Sequence, residues 1–305
     1  MNFNKASQLN VLVTGANGQL GTELRNVLDT GRNNCIFSDI TSVPGVETLC
    51  LDITDIDAVR LVCESENIDV IVNCAAYTDV DKAEDEPSMA MLLNGTAAGI
   101  LASVAAGRNA TMIHISTDYV FHGDRPEPCR EDCIPDPLGV YGSTKLAGER
   151  KIAESGCRSI IIRTAWLYSP YGRNFVRTMR RLTAERDSLK VVYDQIGTPT
   201  YARDLASLIA RIIECGMLDR TGIYHFSDEG AVSWFDFAQA VKDLSGNSCD
   251  IKPCRTEEYP SKARRPRFSV LDKAKVKETF GIGIPYWRDS LADCIRRIEE
   301  KEERI

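Results

Sequence analysis

The chain has 305 residues, 43% of them hydrophobic and 27% charged, and a formal net charge of -7. That length holds one large α/β domain or a nucleotide-binding domain with a smaller companion, and the acidic balance argues against a nucleic-acid binder, which needs a basic face for the phosphate backbone. The 11 cysteines contain no C-x-x-C pair and there are only three histidines, His114, His122 and His225, so neither a zinc site nor a disulfide framework is expected.

Residues 1–10 are polar and lack the apolar centre of a signal peptide. No apolar run approaches the roughly 18 to 20 residues that span a bilayer, so a cytoplasmic protein with free thiols and no membrane partner is expected. Residues 11–14 read as a buried strand ending in a glycine turn. Leu20, Leu24, Val27 and Leu28 then share one side of a helix over 19–28. Strands follow at 35–37, 47–51 and 69–73, with a helix over 55–66. A long Ala-rich helix is expected over 87–106, a strand at 111–115, a helix over 141–154 and a strand at 159–162. The remainder offers helices at 174–185, 202–214, 235–245 and 287–300, strands at 190–192 and 222–226, and a loop at 253–266. The charge run at 299–304 reads as a solvated helix end. Strands alternating with helices imply parallel pairing through crossovers. The expected fold is therefore α/β, a Rossmann-like doubly wound parallel sheet with a smaller C-terminal substrate-binding domain. Residues 1–165, completed by about 202–226, would form the first domain, and 166–201 with 227–305 the second.

Gly15-Ala-Asn-Gly18-Gln19-Leu20-Gly21 follows the first strand and opens a helix. Such glycines let the backbone turn tightly and approach a pyrophosphate, which the helix N-terminus attracts. A ligand-free strand-to-helix turn is the competing reading. Asp39 ends the second strand, where a carboxylate can accept from an adenosine ribose and would repel a 2′-phosphate. Asp52 and Ile53 end the third and could frame an adenine. The small residues Ala75 and Ala76, after Asn73, leave room for the middle of a dinucleotide.

Tyr141 and Lys145 stand at i and i+4 of one helix and so share a face. A free phenol has a pKa of about 10, and a nearby ammonium favours the phenolate. Ser116-Thr117-Asp118 ends the fifth strand at its carboxyl edge, where ligands bind in such sheets. A hydroxyl there can donate to a substrate carbonyl. Trp166 follows the sixth strand, where an aromatic can pack on a sugar or simply fill the core. Arg265 lies in the basic cluster 262–267 and could pair with a diphosphate; a solvated basic loop is the alternative. His114, inside a strand, reads as a core residue.

Together with these motifs, the segments DVIVNCAAYTDVDKAEDEP, STDYVFHGD, YGSTKLAGE, RTAWLY, DQIGTPTYARDLA and ARRPRFSVLD resemble the extended short-chain dehydrogenase/reductases. Within them the resemblance is to the dTDP-4-dehydrorhamnose reductase branch, over nearly the full length. It implies NADPH- or NADH-dependent reduction of the C4 ketone of dTDP-4-dehydro-L-rhamnose. It implies Tyr141 as proton donor, Lys145 as its pKa modulator and ribose anchor, and Thr117 as the hydroxyl that holds the carbonyl. Gly18, Gln19, Leu20, Asp39, Asp52, Ile53, Ala76, Tyr77 and Thr78 would line the cofactor, and Thr117, Asp118, Trp166 and Val80 the sugar. The partner would be a small-molecule nucleotide sugar, a homodimer is compatible with the family, and no metal ligand set can be matched. Two rivals share the resemblance: another nucleotide-sugar reductase or epimerase, and a non-catalytic subunit like the regulatory subunit of methionine adenosyltransferase. The intact Tyr141, Lys145 and Thr117 favour catalysis.

Overall fold

In the computed structural model, residues 8–28 and 31–303 are described; most of the polar start at 1–10, and residue 304 of the charge run, lie outside them. The first half runs β1 (Asn10–Thr14), α1 (Gln19–Val27), β2 (Asn34–Asp39), β3 (Leu49–Cys50), α2 (Ile56–Ser65) and β4 (Val70–Asn73). Then come α3 (Val80–Ala83), α4 (Pro87–Ala90), a π-helical stretch (Met91–Thr96), α5 (Ala97–Gly107), β5 (Thr111–Thr117), a 3₁₀ turn (Asp118–Val120), α6 (Val140–Glu154) and β6 (Arg158–Thr164). The second half holds β7 (Leu167–Tyr168), α7 (Phe175–Glu185), β8 (Ser188–Val192), β9 (Ile196–Gly197), β10 (Thr200–Tyr201), α8 (Ala202–Glu214) and β11 (Gly222–His225). It ends with β12 (Val232–Ser233), α9 (Trp234–Leu244), β13 (Asp250–Cys254), α10 (Ala274–Phe280) and α11 (Trp287–Glu302).

Seven strands form one sheet in the order β11-β6-β5-β4-β1-β2-β3, every pair parallel. The central strands β1, β4, β5 and β6 are apolar on both faces because both faces are covered. Val11, Val13, Val70, Val72, Ile113, Ile160 and Ile162 pack with α1 and α8 on one side. Leu12, Ile71, Met112 and Ile161 pack with α2, α5 and α6 on the other. Strand order reverses between β1 and β4, and ligands enter such sheets at that switch point, beyond the carboxyl ends of the strands. A third core, with Tyr168, Val176, Phe237, Trp287, Leu291 and Ile295, joins α7, α9 and α11. A small cluster of Val120, Phe121, Leu146, Ala165 and Leu271 joins the segments after β5 and β6 and helix α6 to the second half.

The structure departs from the sequence expectation in several places, among them the short elements α3, β7, β9, β10 and β12. The helix expected over 87–106 is broken in character by the π turn at Met91–Thr96. Its full stretch, Pro87–Gly107, is long and apolar enough to meet the requirement for a membrane span, contrary to the reading above. Ala97, Ala98, Leu101, Ala102 and Ala105 are fully buried against the sheet, and core burial accounts for that apolar character. The strand expected over 47–51 shrinks to Leu49–Cys50, and part of the expected loop at 253–266 belongs to β13, which pairs with β8. Helix α10, unforeseen, inserts Val276 and Phe280 into the first core.

Candidate active site

The glycine turn is held by close backbone packing. Gly15 has φ +65°, and a Cβ there would lie 2.6 Å from the backbone nitrogen of Ala75, just past β4. A Cβ on Gly21 would lie 2.5 Å from the Gly15 carbonyl. These two positions pull β1, α1 and β4 into one crevice. Helix α1 begins at Gly18 with no side-chain cap and no acidic residue in its first turn. Its leading N–H groups and dipole suit an anion, so the residues present fit a dinucleotide pyrophosphate. Asp39 lies beside this turn: its Oδ2 accepts from the Asn17 N–H at 3.1 Å, and its Oδ1 from the backbone and hydroxyl of Thr41.

Other expected cofactor residues divide into two groups. Ala75 and Ala76 are half-buried at the crevice, and the Ala75 N–H donates to Asn73 Oδ1. Thr78 is exposed beside it. Gln19 turns its side-chain oxygen away, to Ser169 and Asn174. Leu20 and Ile53 are buried in the two cores, so only their backbones are available to a ligand. The Asp52 carboxylate takes the N–H and hydroxyl of Thr54. Tyr77 is fixed through its backbone by Asn94, while its phenol donates to Glu86 at 2.7 Å.

Helix α6 carries Tyr141 and Lys145, the expected proton donor and its partner. Gly139, before it, supplies no cap. Glu84 does so from α3's end, accepting from the Val140 N–H at 2.8 Å. Gly142 lets the helix approach the Tyr119 carbonyl, where a Cβ would be only 2.2 Å away. That approach sets the Tyr119 ring edge-on to Tyr141, with centroids 5.5 Å apart. The Thr117 hydroxyl lies near enough to act on the Tyr141 phenol, while its own bond goes to Asp118. Burial pushes the Tyr141 phenol up to about 12, Asp118 adds to the rise, and Thr117 opposes it; the group is therefore protonated near neutrality. One turn on, Lys145 is almost fully buried and donates to the Ile115 carbonyl at 2.6 Å. Burial brings its ammonium down to about 8, against the pull of Glu149 and Cys74. Behind it Glu149 is held by Arg163 through two bonds of 2.9 and 2.7 Å and by Ser116.

Of the expected sugar residues, the structure brings Asp118 into direct contact with Thr117. Thr117 donates to Asp118 Oδ1 at 3.0 Å. Asp118 is buried, its carboxyl pushed up to about 6 by that burial and restrained by the Ser269 and Thr117 hydroxyls. Its Oδ2 has no partner among the described residues, which leaves an acceptor for a ligand hydroxyl. Trp166 adopts φ +47°, an uncommon conformation for a tryptophan. It stacks on Trp234 with centroids 3.5 Å apart, over Gly197, whose missing side chain makes the space. Val80 is half-buried at the start of α3. Arg265 is bound at 2.7 Å by Asp81, so its charge is already partnered. Sequence reasoning missed Glu84, Asn94 and Asp81. The VDKAE segment containing two of them was visible, but their partners stand 56 and 184 positions away.

A family model described as RmlD substrate binding domain matches residues 9–300. The dTDP-4-dehydrorhamnose reductase of Aggregatibacter actinomycetemcomitans is 42% identical over 291 residues, covering 92% of this chain and 96% of that protein. The crystal structure of dTDP-4-dehydrorhamnose reductase from Bacillus anthracis in complex with NADP superposes with a TM-score of 0.89 at 37% identity. It covers 95% of this chain and 99% of that one. A UDP-glucose 4-epimerase from Thermus thermophilus, in complex with NAD, matches with a TM-score of 0.77 at 18% identity, which shows a shared fold. It covers 94% of this chain and 99% of that one.

Proposed function

The chain belongs to the RmlD substrate binding domain family, that of the dTDP-4-dehydrorhamnose reductases, and on that premise we propose that it reduces a nucleotide-linked 4-keto-6-deoxysugar at C4, consuming NADPH or NADH. The activity is that of an NAD(P)-dependent oxidoreductase in dTDP-rhamnose biosynthesis. The observation that carries the assignment of roles is the grouping of Tyr141, Thr117 and Lys145 at the carboxyl ends of β4 and β5, beside the glycine crevice.

The cofactor, when bound, supplies the hydride that reaches C4. Tyr141 gives its phenolic proton to the developing alkoxide oxygen, so ketone, hydride and proton sum to the alcohol. Thr117 turns its hydroxyl from Asp118 to that oxygen and holds it in place. Lys145 donates to the nicotinamide ribose hydroxyls and stabilises the phenolate left on Tyr141. Gly15, Gly18 and Gly21 receive the pyrophosphate, with the backbones of Gln19 and Leu20, and Asp39 accepts from the adenosine ribose. Ala75, Ala76, Tyr77, Thr78, Asp52 and Ile53 wall the rest of the cofactor. Asp118, Trp166 and Val80 face the sugar; Arg265 reaches a diphosphate only by sharing its charge with Asp81. We assign the protein to the cytoplasm, in keeping with eleven cysteines of which no two are joined.

Substituting Tyr141→Phe tests the assignment of the acid. Turnover should fall by about 10²- to 10⁴-fold, while NADPH affinity changes little. A variant that keeps near-normal turnover would remove Tyr141 from this role.

A further inference from the structure

Lys145 meets a histidine on its inner side that the mechanism above does not use. His114 is 1% exposed on β5 and lies between two polar partners. Its Nδ1 is 3.0 Å from Asn73 Nδ2, and its Nε2 is 3.4 Å from Lys145 Nζ. The direction of the first contact follows from Asn73. The oxygen of that amide receives the Thr14 hydroxyl at 2.7 Å and the Ala75 N–H at 3.2 Å. A backbone N–H can only donate, so the Asn73 oxygen must face it and the amide NH₂ must face the ring. Nδ1 then accepts, and a neutral imidazole carries its proton on Nε2.

That proton points at Lys145 Nζ. A neutral amine has a lone pair to receive it, whereas an ammonium has three donors and none. We infer that His114 is a positioning residue for Lys145: locked as the Nε2–H tautomer by Asn73, it holds the lysine nitrogen against the Ile115 carbonyl and favours its neutral form. The inference rests on the reading that Lys145 anchors the nicotinamide ribose.

Its consequence is a more acidic ammonium, one that parts more readily with a proton when the Tyr141 phenolate must be restored. Burial acts in the same direction on Lys145, and it holds His114 well below the ordinary range, so the ring stays neutral beside it. Of the other groups facing Lys145, Glu149 and Cys74 work against this. Tyr141 lies one turn before it and Glu149 one turn after, the latter tied to Arg163 of β6 and Ser116 of β5. Cys74 approaches from beyond β4, and both it and Glu149 favour the charged lysine.

The test uses the intact protein and NADPH alone, without sugar, so a wrong sugar assignment leaves it standing. NADPH affinity, read by cofactor fluorescence, should fall as pH rises through the Lys145 transition near 8. In His114→Leu no donor faces the lysine nitrogen, and the transition should move up by about one pH unit, a tenfold shift in the lysine's proton affinity. In Lys145→Met it should disappear. A transition that vanishes in Lys145→Met but stays in place in His114→Leu overturns the inference alone. One that persists in Lys145→Met overturns the ribose-anchor reading, and the inference with it. Should His114→Leu fail to fold, nitrogen-15 shifts of the three histidines in the unsubstituted protein decide the matter. The Nε2–H tautomer of His114, unchanged from pH 6 to 9, supports the inference; an Nδ1–H tautomer or a titrating His114 contradicts it.

Discussion

Asp39 is bound on both carboxylate oxygens by its own surroundings, Asn17 on one side and Thr41 on the other. It therefore closes the loop after β2 against the glycine turn and still has lone pairs for a ribose. Arg25 lies close enough to interact with it, its guanidinium 4.2 Å over the Phe37 ring and bonded to Thr48. A cation beside the carboxylate softens its repulsion of a 2′-phosphate, which suits use of either cofactor. Removing the carboxylate in Asp39→Ala should raise the ratio of kcat/KM for NADPH over NADH by about tenfold, the effect of roughly 1.4 kcal/mol. An unchanged ratio would mean that Asp39 does not face the ribose. Asp39 was legible from its place after a strand; Arg25 was not, because a helical arginine two turns into α1 reads as surface until Phe37 and Thr48 are seen beneath it. The same holds for His114, where a strand position predicts burial but not that Asn73 and Lys145 flank it.

His225 offers a second test at this scale. It is buried between Arg163 and the Cys129 carbonyl, and burial next to the Arg163 charge brings it down to about 3. Its folded-state value is thus below the unfolded value of about 6.5. The unfolded chain takes up a proton below pH 6.5 that the folded chain refuses, so this contribution to stability is present above 6.5 and lost as pH falls toward 3. The loss is about 1.4 kcal/mol per pH unit. In His225→Gln, urea unfolding between pH 6.5 and 4 should show a pH slope shallower by that amount. Equal slopes in the two proteins would show that His225 does not titrate on unfolding.

At the level of elements, the placement of α6 decides the chemistry. Its N-terminus is capped by Glu84 from a distant segment, and its approach to Tyr119 depends on the bare Gly142. Asn94 adds a further tie: it bonds the Tyr77 backbone and the Thr144 hydroxyl, joining the loop after β4 to α6. The π turn at Met91–Thr96 contains Asn94, and a Cβ on Gly148 would lie 2.2 Å from the Asn94 carbonyl. A one-residue widening of a helix is invisible to periodicity over 87–106, since the apolar pattern continues through it. Gly142→Ala should force α6 away from Tyr119 and lower turnover by about 100-fold, the scale of a misplacement near 1 Å. NADPH affinity should fall much less. Near-normal turnover in this variant would mean that α6 tolerates the shift and that its close approach to Tyr119 is not needed.

Across the whole molecule, the alternating strands and helices of the first half were readable because the central strands β1, β4, β5 and β6 are buried on both faces, while the edge strand β3 is exposed. The second half was readable only in pieces. Its strands are mostly two residues long and pair with distant segments, as β9 does with β12 and β7 with β10. The segment after Arg265 shows why. Phe268 bonds Gly123 and bridges to Ile196, Ser269 restrains Asp118, and Leu271 pairs with Cys129. This stretch, which follows the expected loop at 253–266 and carries no periodicity of its own, is a strap that runs past Gly123 and Cys129 and places Ser269 on Asp118. The candidate catalytic residues Thr117 and Tyr141 of the first half and the strap from the second thus lie together at the carboxyl end of β5.

The most direct measurement is the absorbance of reduced cofactor when fresh enzyme meets dTDP-4-keto-6-deoxy-L-mannose. The account predicts that NADPH or NADH disappears mole for mole as the 4-hydroxy sugar forms. Turnover of the sugar with no net loss of reduced cofactor, or no turnover at all with folded enzyme, would contradict it.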